Sequence, residues 1–145
     1  MFEKFLEVLR KIKIDTKPLW GKMSAQHMVE HLILTIQMSN GKLLLDCVNP
    51  AEKLPALKRF LLSDRPLPKK FINPAIGKDL KPLIYSSLQT AINQLSTEIE
   101  EYNSFFQKYP DANPMNVTFG ELNKEEWEIF HKKHFTHHLS QFGLL

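Results

Sequence analysis

The sequence predicts an all-α protein, a four-helix bundle, on three observations. Apolar residues recur at spacings of three and four in separate stretches, capping residues stand at the starts of two of them, and no Val/Ile/Thr alternation is long enough for a strand. A link of about forty residues lies between the second stretch and the third, where a bundle of simple up-down order needs only short loops. Such a crossover lets its two flanking helices run parallel, so the expected order is up-down-down-up, in a single domain over residues 1–145.

The first helix is expected over residues 2–13, where Phe2, Phe5, Leu6, Leu9 and Ile12 alternate with charges before Asp15 and Pro18 end it. Ser24 is a good N-cap for a second helix running to Gly41, a residue suited to the left-handed position after a helix end. Six of the nine prolines then fall between residues 50 and 82. Within that crossover AEKLPALKRFLL suits a short helix with prolines near its start, and residues 63–82 read as loop. Leu88, Ile92, Leu95, Ile99, Tyr102 and Phe106 form a bundle-type seam that predicts a helix over about residues 84–108. The DANPMNVTFG segment is expected to be a loop, and Asn123 with Glu126 three residues later reads as a capping box opening the last helix, 124–141. The core is expected to centre on Phe5, Leu9, Leu32, Ile36, Leu88, Ile92, Leu95, Ile99, Phe130 and Phe135.

Composition narrows the function classes. With 145 residues, 43% hydrophobic and 24% charged, the chain is ordinary for a globular domain and buries about two-thirds of its unfolded surface, so its core requires neither disulfide nor structural metal. The net charge of +3 is too small for a dense basic face. The stretch Lys58 to Lys81 holds seven basic and two acidic residues, but prolines break it, and neither a nucleic acid nor a membrane is an expected partner. Cys47 stands alone, which excludes an intrachain disulfide and a CxxC site and favours a reducing, cytoplasmic setting. The start of the chain has no apolar core of signal-peptide length, so the mature protein is expected to begin at Met1.

The histidines carry the chemistry. His27 and His31 share the second helix; His131, His134, His137 and His138 share the last, and none lies between. At about 100° per residue His27 and His31 continue into the apolar stripe of Leu34 and Met38, while His131, His134, His138 and Gln141 occupy one arc with Trp127. An isolated His-x-x-x-His pair is met by ordinary hydrogen bonds in most proteins. Two pairs on apolar faces of two helices expected to pack together are harder to satisfy mutually, since each neutral ring has one donor and one acceptor, whereas a divalent metal takes several lone pairs at once. His134 and His138 would supply two ligands from one turn, and His27 or His31 a third, leaving a position open as in catalytic sites. Glu128 and His131 make a Glu-x-x-His pair, but no second such pair exists for a di-iron site. HExxH, GxGxxG, a P-loop and a nucleophile elbow are absent.

Two segments resemble the DinB-like (YfiT-like) four-helix-bundle superfamily. WGKMSAQHMVEHL, Trp20 to Leu32, is similar to that family's tryptophan, helix cap and metal histidine, and FGELNKEEWEIFHKKHFTHHLSQFGLL, Phe119 to Leu145, to its final helix with a His-x-x-x-His pair followed by Gln. The resemblance implies His31, His134 and His138 as ligands of one divalent metal ion, zinc or nickel foremost, with Gln141 after the pair, His137 as the outer member of the doublet, and a homodimer; His27 and His131 are extra to that pattern, candidates to alter the ligand set or to stand beside the metal, and His27 with Gln141 is expected nearby. It further implies a metal-dependent enzyme acting on a small-molecule substrate, a transferase for a low-molecular-weight thiol such as bacillithiol or mycothiol, or a hydrolase. The alternative expectation is a non-catalytic, stress-related metal- or small-ligand-binding protein. Because ligating imidazoles must be deprotonated, metal release is expected as pH falls through the histidine range near 6. His27 is the candidate general base.

Overall fold

The computed structural model describes residues 1–69 and 80–145. The described part is mostly helical, with five α-helices and one small two-stranded sheet: α1 Phe2–Leu9, α2 Ala25–Ser39, α3 Leu54–Leu62, α4 Leu88–Lys108 and α5 Lys124–Gln141, with β1 Met115–Asn116 and β2 Gly120–Glu121 between the last two helices. The basic stretch and the loop expected over residues 63–82 lie in part outside the described residues.

The caps act as their residue types require. The Ser24 hydroxyl accepts from the His27 backbone N–H, and the Asn123 side chain accepts from Glu126 while the Glu126 carboxylate accepts from the Asn123 N–H. Ser87 caps α4, so that helix opens at Leu88 instead of near residue 84. The chain before it is held by Glu30, whose carboxylate accepts from the backbone N–H groups of Ile84 and Tyr85.

The first helix is shorter than expected. After Leu9 the bonds tighten to Lys11 N–H on the Val8 carbonyl and Ile12 N–H on the Leu9 carbonyl, so the apolar face continues to a buried Ile12 without a further α-turn. The segment expected as a wholly irregular loop holds the sheet, which corrects the all-α expectation. The Asn116 side chain accepts from the N–H groups of Thr118 and Phe119, closing a tight turn that pairs Met115 with Glu121. Strands of two residues are too short to register as an alternating pattern. The crossover does contain its short helix, which opens with a 3-10 turn, Ala51–Lys53, and buries only Leu61.

Helix α2 packs chiefly on α4, and its ends show the direction. Gln26 at the start of α2 donates to the Tyr85 carbonyl just ahead of α4, while Asn40 and Lys42 at the other end reach the buried carboxylate of Glu98, so α2 and α4 run the same way. Helix α5 runs against them: Ser39 meets His131, and Trp20, ahead of α2, meets Gln141 at the end of α5. Phe2 of α1 closes the far end with its ring edge-on to Tyr102 and Phe135. Leu9, Leu32, Ile36, Leu88, Ile92, Leu95, Ile99, Phe130 and Phe135 are buried as expected, whereas Phe5 is only partly so. Among the described residues no helix is long and apolar enough to cross a membrane.

Asn123→Ala removes the cap of α5 and strands the Glu126 N–H; a loss of about 1 kcal/mol in equilibrium denaturation is expected.

Candidate metal centre

Three imidazoles meet between α2 and α5. Nε2 of His31 lies 2.9 Å from Nε2 of His134, which lies 3.1 Å from Nε2 of His138, and the three rings are buried. One ligand atom from each falls within 4.8 Å of the others, so these three histidines could hold a metal ion, and among the described residues no further His, Cys, Asp or Glu joins them. The i, i+4 spacing of His134 and His138 places two rings edge to face on one side of α5, and the antiparallel course of α2 brings His31 opposite. Phe130, one turn before His134, lies nearly parallel to its ring at 5.2 Å between centroids and sets its plane.

The proton on His138 is set by its neighbour. The Gln141 amide donates from Nε2 to the Trp20 carbonyl at 2.9 Å, which turns its Oε1 toward Nδ1 of His138 at 2.8 Å. Nδ1 must therefore carry the proton, leaving the Nε2 lone pair of His138 aimed at the cluster. His134 Nε2 faces two neighbours and can hold one proton at most. The Nδ1 atoms of His31 and His134 are buried with no hydrogen-bond partner among the described residues. No arrangement of protons satisfies every nitrogen, whereas a cation accepting three Nε2 lone pairs removes the conflict where the rings meet. Burial, followed by the proximity of the other histidines, holds His31 and His134 well below the ordinary histidine range. Burial takes His138 down to about 4 against the opposing bond to Gln141. Neutral imidazole is the ligating form.

The remaining histidines have other roles. His27 is not among the three clustered rings: its Nδ1 accepts from the Ser24 backbone N–H at 3.4 Å, completing a capping box in which a histidine takes the place usual for Glu or Gln, and lies 2.6 Å from the Ser24 hydroxyl. His27, expected as a neighbour of the metal and general base, thus has its Nδ1 engaged at the cap of α2. The signal was present in the Ser-x-x-His spacing of the cap. His131 is fully buried and stacks on Trp127. Because the Ser39 hydroxyl donates to the Ile36 carbonyl, it accepts from Nε2–H of His131, leaving Nδ1 a lone pair with no hydrogen-bond partner among the described residues. Its ring meets Tyr102 edge to face, and the Tyr102 hydroxyl is likewise buried without a partner among the described residues. His137 is half-buried, edge-on to Trp20 and bonded to the Leu67 backbone, which brings Leu67 of the crossover to α5 beside the cluster. That contact was not legible in the sequence, since it joins residues seventy apart.

Burial lowers His131 to about 3, below the unfolded value near 6.5. The unfolded chain therefore takes up the proton first, and the stability present above pH 6.5 falls as pH drops toward 3, by about 1.4 kcal/mol per pH unit for this group. His131→Phe leaves the Ser39 hydroxyl bonded to Ile36 and removes the titration. Urea denaturation between pH 6 and pH 4 is expected to show a shallower loss in the variant, by one proton's worth of slope; parallel slopes would contradict the assignment.

No curated protein and no solved structure matches the chain. The family model described as "Protein of unknown function (DUF1569)" matches residues 63–143, which include His134, His138 and all of α5 but not His31. The match covers more than half of the sequence, and the chain belongs to the DUF1569 family.

Proposed function

We propose that the protein is a metal-dependent enzyme acting on a small molecule, a thiol transferase or a hydrolase, with a divalent metal ion, zinc or nickel, held by His31, His134 and His138. The observation that carries the reading is the mutual approach of three buried Nε2 atoms, with the His138 proton held on the opposite side of its ring by Gln141. When bound, a divalent cation supplies Lewis acidity and lowers the pKa of a coordinating thiol or water. Three protein ligands match the catalytic arrangement in which a position is left for substrate.

The chain's own residues would do the rest. The three rings present lone pairs without first releasing protons, because burial keeps them neutral. Phe130 and Gln141 hold two of the rings in orientation, and Phe130 lays apolar surface against His134. The proposal extends to the fold, an up-down-down-up four-helix bundle related to the DinB-like superfamily; the shared direction of α2 and α4 and the opposed α5 support it.

Elemental analysis of protein purified without an affinity tag is expected to find zinc or nickel near stoichiometric in wild type and lost in His134→Ala. Equal metal in both, or none in either after reloading, would overturn the site. With the metal loaded, a panel of low-molecular-weight thiols with a reactive aromatic electrophile is expected to give turnover that His31→Ala abolishes. Metal binding without turnover on thiols or esters would assign a binding role instead.

A further inference from the structure

Resting on the metal reading above, a loop outside the helices contributes to the same centre. The segment before α2 is tied to the end of α5 twice: the Leu19 N–H donates to the Gln141 carbonyl at 2.7 Å, and the Gln141 side-chain Nε2 donates to the Trp20 carbonyl. The next residue is Gly21, with φ +83°, a left-handed conformation in which a side chain is strained. A Cβ placed on Gly21 would lie 2.7 Å from Nε2 of Gln141. The far end of a glutamine could swing aside at little cost in most settings. Here it cannot do so without releasing the Trp20 carbonyl from one side of the amide and the His138 Nδ1 proton from the other.

We propose that Gly21 is a positioning residue for the metal centre: its missing side chain lets the loop close on Gln141, and the Gln141 amide transmits that closure to His138. The chain of contact is Gly21 against Gln141, Gln141 on His138, and His138 on the shared cluster. Partners that orient a ligating histidine are worth about 10- to 100-fold in metal affinity. The loop thus belongs to the centre through Gln141.

The test is zinc affinity measured by competition with a chromophoric chelator, with the visible absorption of the cobalt-substituted protein as a second readout. Gly21→Ala is expected to weaken zinc binding by about 10-fold or more and to shift the cobalt bands. Gly41→Ala is the control for generic strain. It too stands at φ +83°, and its Cβ would crowd Phe105 at 3.0 Å, but it lies at the other end of α2. It is expected to destabilise the fold while leaving the cobalt spectrum unchanged. In a Gln141→Ala background, Gly21→Ala is expected to cost no further affinity, because the atom it displaces is gone. Should Gly21→Ala fail to fold, Gln141→Asn shortens the same bridge with the loop unstrained and is expected to give the same loss. Wild-type affinity and spectrum in Gly21→Ala, an equal change in Gly41→Ala, or an undiminished effect in the Gln141→Ala background would each overturn the proposal. A wild-type protein that takes up neither zinc nor cobalt would overturn the metal reading itself.

Discussion

The structure turns on the burial of three imidazoles that point the same kind of atom at one another. His31, His134 and His138 are removed from water, where neutral rings would find partners freely, and placed so that three Nε2 atoms compete for too few protons. Leaving buried polar groups unpaired costs on the order of 1–3 kcal/mol each. A fold that maintains such an arrangement requires the surrounding packing to outweigh it, and the neighbouring elements all bear on that point. The opposed directions of α2 and α5, the caps that set where each helix begins, and the amide of Gln141 determine which atoms meet.

Helix α5 shows how a polar-looking segment becomes the centre of a core. Trp127, Phe130, His131, His134, Phe135, His138, Leu139 and Gln141 are all buried, so its inward surface is wide and mixes aromatic rings with imidazoles. Edge-on and stacked contacts bind these rings: Trp127 against His131, Phe130 against His134, Phe2 against Phe135. Ring pairs contribute about 0.5–1.5 kcal/mol beyond the area they bury and also restrict the planes in which the imidazoles lie. The same aromatic packing therefore gives stability and orients the site. His131 shows the difference between a buried histidine and a ligand. It sits in the same arc, but Ser39 accepts its proton and aromatic rings cover its remaining face.

The elements around the site are held by polar clamps, not by regular structure. Glu30, the residue before His31, spends its carboxylate on the Ile84 and Tyr85 N–H groups and on Gln26. Lys133 reaches the carbonyl of Phe60 in the last turn of α3 and that of Arg65 beyond it, and His137 holds the Leu67 backbone. The bonds to Ile84, Tyr85, Arg65 and Leu67 join a helix of the body to an irregular segment, so these non-helical stretches have defined places. Such bonds connect residues distant in sequence and leave no periodic trace.

Much of the helical framework could be read directly. Leu88 to Phe106 follow a repeat that only a helix satisfies, and Ser24 and Asn123 mark starts because their side chains accept the N–H groups a helix leaves free. The pairing of His134 with His138 also followed from local geometry, since four residues of α-helix return nearly to the same face. Choosing between His27 and His31 did not: both lie on one side of α2, and only the register against α5 and the capture of His27 by Ser24 separate them. The early end of α1, the two-residue strands held by Asn116 and the tie from Trp20 to Gln141 were likewise decided in the folded chain. Local sequence determines which hydrogen bonds a segment makes with itself. Which buried nitrogen faces which depends on how whole helices slide and turn against one another, and that was settled only by tertiary packing.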